Sequence, residues 1–335
     1  MGSRASPVTA ALTLSLTGSY ERQGTDAAEG VRLWAADAGV RLVLVDDRSS
    51  KAAAVEAYAE WVGGDGMDVL LGPYSSGLVR AVAPLVCQTG HLLWNHGGSA
   101  DDLARPRVVS LLAPASSYFE GIVDEAVARD LARLVVVQGA GPFARAVAGG
   151  AAARASNYGL EVRVIAAAGL DTEDIDGTAV LVAGRFEDDL AVVRRLHDRG
   201  HSPQLLAAVA AGISAFGREL GELAEGVLGP VQWWPSEDTP EVGPSGAEFA
   251  ARFQQRTGRE PSYPAAQAAA AGYLALAAHC RGMTADEMSR WRTSTLLGQF
   301  ALDATWRQVG HRVATICWEG CRMVPIGLQQ RGTAG

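Results

Sequence analysis

Short apolar runs alternate with helix-length segments along almost this whole chain, and that alternation is its strongest constraint. Residues 9–16 read as a strand, and residues 24–37 carry Ala27, Val31, Trp34 and Ala35 at helical spacing. Strand-like 41–45, helix-like 51–63, strand-like 69–71, helix-like 76–89 and strand-like 92–94 follow. Strands separated by helices of this length form βαβ units, whose right-handed crossovers give a parallel sheet with helices on both faces.

The pattern restarts after residues 108–111. Helix 118–129, strand 134–137, helix 143–158, strand 161–165, strand 179–182, helix 186–199 and strands 204–209 and 226–233 come next. Helices 246–257 and 264–281 and a hairpin at 312–318 and 321–326 complete it. The expected fold is therefore α/β, with two similar Rossmann-like halves. Joints rich in Pro and Gly near Ala113-Pro114 and at 235–244 mark where the chain crosses between them.

At 335 residues the chain has the length of two domains. A net charge of -8 argues against nucleic acid as a partner. The run from Ala265 to Cys280 is too short and too interrupted by Gln267 to span a membrane, and reads as a buried Ala-rich helix. The first seven residues lack the apolar stretch of a signal peptide, so the expectation is either a cytosolic protein or a mature one with its leader removed.

The cysteines offer no zinc spacing. Cys87 and Cys280 read as small buried hydrophobes, and a disulfide between Cys317 and Cys321 is not favoured. His91 and His96 straddle a strand and read as solvent-facing or structurally hydrogen-bonded. Asp188-Asp189 and Arg194-Arg195 read as the solvated face of a helix. No metal site and no cofactor is expected.

Two turns carry the chemistry. Leu70-Leu71-Gly72-Pro73-Tyr74-Ser75-Ser76-Gly77 reads as a buried strand ending in a Ser/Gly turn that opens a helix. Leu92-Leu93-Trp94-Asn95-His96-Gly97-Gly98-Ser99 repeats the strand and turn. Free backbone N–H groups and a hydroxyl at a helix N-terminus suit a carboxylate or small polar group. In open α/β sheets such groups bind at the carboxyl ends of strands.

Enzyme readings find less support. Val135 to Ala144 resembles a dinucleotide fingerprint, but the next strand ends in Ala166-Ala167-Ala168 without the acid that would hold a ribose. A hydrolytic reading of Ser75 or Ser76 with His96-Gly97-Gly98 lacks the GxSxG elbow and an oriented histidine.

The motifs resemble the type I periplasmic binding proteins, in particular the leucine/isoleucine/valine-binding branch and its amide-sensing relatives. The likeness runs through Leu16-Thr17-Gly18 to Gly24, Gly72 to Ser76, Asn95 to Leu103, Pro142 to Ala146, Glu260-Pro261-Ser262-Tyr263, Gly272-Tyr273 and Leu297 to Val313. It implies two lobes joined by three crossovers: 8–115 with 240–302, and 116–239 with 303–330. It also implies a non-enzymatic solute-binding protein that closes on a small polar or carboxylate ligand, of branched-chain amino acid type, an amide or an aromatic or organic acid, in the inter-lobe cleft for ABC-type uptake. A ligand-sensing regulatory domain is the alternative. A permease or signalling partner follows, with a periplasmic, extracellular or cell-surface location; a cytosolic sensor remains open.

Residue by residue, the resemblance gives Ser76 the ligand carboxylate. The Gly97 backbone and the Ser99 hydroxyl complete that half-site. Gln23 matches a wall residue of the first lobe, and Tyr74 and Tyr263 are further wall residues. Phe143 matches an aromatic of the second lobe, and Arg185 lies near another contact there. Trp94 faintly suggests the amide and urea binders. One departure stands out. Amino-acid binders carry an acid just after the strand at 204–209, to meet the ligand ammonium. This chain reads Ala207-Ala208-Val209-Ala210-Ala211-Gly212 there. A buried ammonium without a partner costs several kcal/mol, so the expected ligand is an amide, a carboxylic acid or an aromatic acid.

Overall fold

The computed structural model describes residues 7–64 and 66–326. The chain divides into two compact units. One runs to Ala113 and resumes at Trp233–Arg312; the other is Pro114–Gln232 and resumes at Val313.

In the first unit, β1 (Thr9–Leu14), β2 (Arg41–Asp46), β3 (Val69–Leu71), β4 (Leu93–Asn95) and β5 (Val108–Ser110) form a sheet in the order β2-β1-β3-β4-β5. Every pairing is parallel. Side chains alternate across it, so Leu12, Leu14, Leu71 and Trp94 enter one core while Ala11, Leu70 and Leu93 enter another. The second of these is roofed by α2 (Lys51–Gly63) and α3 (Ser76–Gln88), through Tyr58, Trp61, Leu78 and Val82.

The opposite face packs α1 (Glu21–Ala38), α8 (Gly246–Thr257) and α9 (Tyr263–Cys280). Gly30 of α1 touches the α9 backbone so closely that a Cβ there would lie 2.0 Å from the Ala265 carbonyl oxygen. The Ala-rich surface of α9 makes that approach feasible, and α9 is an interior helix as its composition suggested. Among the described residues no helix is long and apolar enough to cross a membrane. Phe249 and Phe253 of α8 are almost wholly buried, each contributing about 1.5–3 kcal/mol of apolar burial. A short helix α10 (Ala285–Arg290) and the antiparallel hairpin of β11 (Arg292–Thr295) and β12 (Gly298–Ala301) finish the unit.

The second unit has a seven-stranded sheet in the order β14-β13-β10-β9-β8-β6-β7. Its strands are β6 (Arg133–Gln138), β7 (Glu161–Ile165), β8 (Ala179–Ala183), β9 (Leu205–Ala208), β10 (Leu228–Val231), β13 (Ala314–Glu319) and β14 (Arg322–Ile326). The first five run parallel, and the terminal hairpin is antiparallel. Helices α4 (Glu120–Ala128) and α5 (Pro142–Asn157) bury Phe119, Ile122 and Val147 against Leu134, Val136 and Leu181. Two further helices are α6 (Phe186–Asp198) and α7 (Ala215–Leu220).

Several expectations are corrected. Strand β1 stops at Leu14 because Leu16 N–H turns back to the Leu14 carbonyl and the Asp46 carboxylate. Helix α1 begins at Glu21, three residues before Gly24. The unit boundaries also differ. Residues 233–239, expected in the second lobe, group with the first unit, where the Trp233 indole N–H donates to the Leu296 carbonyl at 3.1 Å and the ring meets Phe249 edge-on. Residues 303–312 do so as well. The Gln308 amide accepts from the N–H groups of Ala301, Gly310 and His311 and donates to the carbonyls of Ser110 and Leu111. At the other joint, Pro114 and Ala115 belong to the second unit. Residues 327–330, expected in the second lobe, lie outside the described residues.

Cys280 is exposed, which corrects the buried hydrophobe expected there, while Cys87 is half-buried and packs against the core beneath α2 and α3. All four cysteines are free thiols. Trp94 is a core residue, 2% exposed, which removes it from the candidate site.

Candidate ligand site

The first unit gathers its polar groups where neighbouring strands β3 and β4 end. Ser75 caps α3 from an extended backbone, and its hydroxyl oxygen is buried without a partner. The Ser76 hydroxyl accepts the Ala100 N–H at 3.1 Å, which ties the first turn to the second and leaves its own proton to donate. The Ser99 hydroxyl is half-buried with no partner among the described residues.

Asn95 organises the second turn and was not singled out from sequence. Its amide nitrogen donates to the Gly98 carbonyl at 2.7 Å and the Ser110 hydroxyl at 2.9 Å. Its oxygen accepts from Gly97 N–H at 3.2 Å and Gly98 N–H at 2.8 Å. Three of these bonds are buried and the Gly97 one partly so; an uncharged side chain spends its whole hydrogen-bonding capacity on the fold of one turn. Gly97 is required where it sits, since a Cβ would lie 2.6 Å from the Tyr74 Cα. Because Asn95 takes the Gly97 N–H, the free backbone group at Gly97 is its carbonyl, an acceptor.

An aromatic wall stands beside the turns. The hydroxyls of Tyr74 and Tyr263 are 3.0 Å apart, and Tyr20 meets Tyr74 edge-on with ring centroids 6.2 Å apart. Tyr20 was missed from sequence, where nothing local marks it. Gln23 is half-buried in the first turn of α1, which follows β1, the strand beside β3. The preceding loop is anchored by two acids at the end of β2. Burial alone would raise the Asp46 carboxyl, but hydrogen bonds from Arg48, Thr17 and Leu16 outweigh it and hold its pKa below the usual value. Asp47 is fully buried and accepts the Thr13 and Ser15 hydroxyls; burial still raises its pKa.

His96, between Asn95 and Gly97, corrects an expectation. It does not face solvent. The ring is fully buried, neither nitrogen has a well-aligned partner among the described residues, and burial pushes its pKa down to about 4 against the backbone of Gly72 and of His96 itself, which raise it. It is a neutral group at physiological pH. With no acid bonded to it, it completes no Ser–His–acid set with Ser75 or Ser76.

In the second unit the structure brings Phe143 and Arg185 to the ends of neighbouring strands β6 and β8. Phe143 follows Pro142 in the first turn of α5, is 37% exposed, and meets Tyr118 edge-on at 5.2 Å. Arg185 is the exposed N-cap residue of α6, with no ion-pair partner among the described residues.

The turn after β9, Val209–Gly212, holds the largest surprise. It carries no acid in sequence, yet a carboxylate reaches it. Asp189, expected on the solvated face of α6, is fully buried, and its Oδ2 accepts the Ala210 N–H at 2.9 Å. Burial pushes its pKa up to about 8. Among the described residues, no group of three or more His, Cys, Asp or Glu is placed to hold a metal.

Comparison with known proteins agrees with this picture. The periplasmic binding protein family matches residues 7–290. Among solved structures, a putative branched-chain amino acid ABC transporter protein from Silicibacter pomeroyi superposes with a TM-score of 0.84 at 15% identity, covering 98% of both chains. A leucine binding protein from Thermotoga maritima gives 0.78 at 17% identity, covering 95% of this chain and 97% of its own. A solute binding protein from R. palustris in complex with benzoate gives 0.71 at 17% identity, covering 96% of each.

Proposed function

We propose that this chain, which belongs to the periplasmic binding protein family, is the solute-binding component of an ABC-type uptake system for a small carboxylate or amide without an ammonium group. The family is non-catalytic, and its α/β architecture is the one described above. A permease partner and a place outside the cytoplasmic membrane follow from the reading.

The observation that carries it is the pair of turns ending β3 and β4. Ser76 and Ser99 offer hydroxyl donors beside the N-terminus of α3, which suits one carboxylate or amide oxygen. The Gly97 carbonyl accepts an N–H or O–H from the same ligand. Tyr74, Tyr263 and Gln23 wall these turns, and Phe143 and Arg185 are the second unit's own candidate ligand groups. Phe143 suits an apolar or aromatic body, and Arg185 suits an anion. The second unit exposes no acid at its Val209–Gly212 turn, which disfavours an amino acid. The benzoate held by one solved relative belongs to the favoured class.

A thermal-shift panel of benzoate, aliphatic acids, amides and leucine, followed by calorimetry, tests this. Benzoate-like acids or amides should stabilise the protein more than leucine does. Ser76→Ala should weaken the best ligand by about 1–3 kcal/mol, roughly 5- to 150-fold. Leucine binding most tightly would overturn the ligand class, and unchanged affinity in the Ser76 variant would overturn the site.

A further inference from the structure

Asp189 lies in the first turn of α6, and the group it holds lies 21 residues on, in the turn after the neighbouring strand β9. Its side chain thereby bridges the two loops that follow β8 and β9. One oxygen holds the Ala210 N–H. The other, Oδ1, makes no well-aligned hydrogen bond among the described residues but lies against Gly184, whose backbone N–H also favours the ionised form; an added Cβ at Gly184 would come within 2.6 Å of it. No cation among the described residues pairs with it, and the charged group acting on it is its neighbour Asp188. Only the Ala210 and Gly184 backbone N–H groups favour a charge at this position, and burial outweighs them, so the carboxyl is held above its ordinary range. Ala210 and Ala211, which the acid supports from beneath, are apolar and buried.

An ionisable group in a site that keeps it neutral is expensive for the fold, and such groups gather where a protein's shape serves a ligand. We propose that Asp189 is the positioning residue of the second unit's ligand turn: by holding the Ala210 N–H from beneath, it fixes the Val209–Gly212 turn in an uncharged form. This sets the preference for ligands without an ammonium group. The inference rests on the ligand reading above, but the hold on Ala210 is tested separately.

Wild type, Asp189→Asn and Asp189→Ala are compared by hydrogen exchange at the Ala210 amide and by titration with benzoate and leucine. The Asn variant keeps a neutral acceptor, so it should match wild type in exchange and in preference. The Ala variant should exchange about tenfold faster or more at Ala210 and lose the preference for benzoate. Unchanged exchange in the Ala variant overturns the proposal, as does fast exchange in the Asn variant. Leucine binding by wild type that Asp189→Asn abolishes also overturns it, because Asp189 would then be an ionised partner of the ammonium. If wild type binds neither probe, the function reading fails for these ligands, and the exchange comparison still decides whether Asp189 holds the turn.

Discussion

The strand-end turns of the two units solve the same structural problem with opposite chemistry. In the first unit a neutral amide, Asn95, folds the turn and leaves the Ser76 and Ser99 hydroxyls to donate. In the second an acid, Asp189, folds the turn and is itself neutralised by burial. Asn95 meets four partners and is fully satisfied; Asp189 holds one N–H firmly, and only the Gly184 backbone lies near its other oxygen. The difference separates a turn built for hydrogen bonding from one whose charge has been removed.

The sharpest way to break this contrast is Asp189→Asn. The raised folded-state pKa, about 8 against 3.8, means the native state keeps a proton that the unfolded chain releases. The group therefore costs nothing below about pH 4, and it lowers stability by up to about 1.4 kcal/mol per pH unit as pH rises toward 8. Denaturant unfolding should find the Asn variant more stable near pH 8, by on the order of 5 kcal/mol, with that slope removed. Equal stability at pH 5 and pH 8 in both proteins would show that Asp189 is not held neutral.

The first unit carries the reverse response through His96. Its folded pKa of about 4 lies below the usual 6.5, so its neutral form contributes stability that is complete above pH 6.5. That stability is lost as pH falls toward 4, by about 3 kcal/mol in total. His96→Leu should flatten the acid limb between these values and leave the alkaline limb to Asp189. A variant that retains the full acid limb would assign it elsewhere.

Asn95→Ala removes four hydrogen bonds, three of them buried, and should cost about 2–3 kcal/mol in urea unfolding, while abolishing the benzoate response. Phe143→Ala is the mildest test. The ring is partly exposed, so stability should hardly move, whereas benzoate affinity should fall by about 1 kcal/mol in calorimetry. A larger loss of stability than of binding would make Phe143 a packing residue of Tyr118.

The βαβ alternation was legible because the central strands of each sheet, such as β1, β3, β6 and β8, are buried on both faces and read as continuous apolar runs, whereas the edge strands β2 and β7 are partly exposed. Helix α8 was readable to the residue. Ser245 and Glu248 cap its start reciprocally, and Gly258 ends it in a left-handed turn. The same box at Thr284 and Glu287 marks α10, but that helix has six residues and buries only Met288, too little to show a period. Hairpin β11–β12 is equally short. The Ser/Gly turns could be read because turn chemistry is local. Asp189 could not, because its burial depends on a partner in another turn, and its neighbours Asp188 and Glu187 look like a solvated face. His96 hid for the same reason: nothing next to it in sequence says how deeply a strand end is covered.

The Asn95 knot also has a consequence for ionic strength. Salt screens charges and loosens surface ion pairs, with a Debye length near 10 Å at 0.1 M. A turn tied by an uncharged amide presents nothing for salt to screen. The Gly97-Gly98 loop should therefore keep its shape in brine as well as in dilute buffer, and any salt dependence of ligand capture should come from Arg185 and the ligand's own charge.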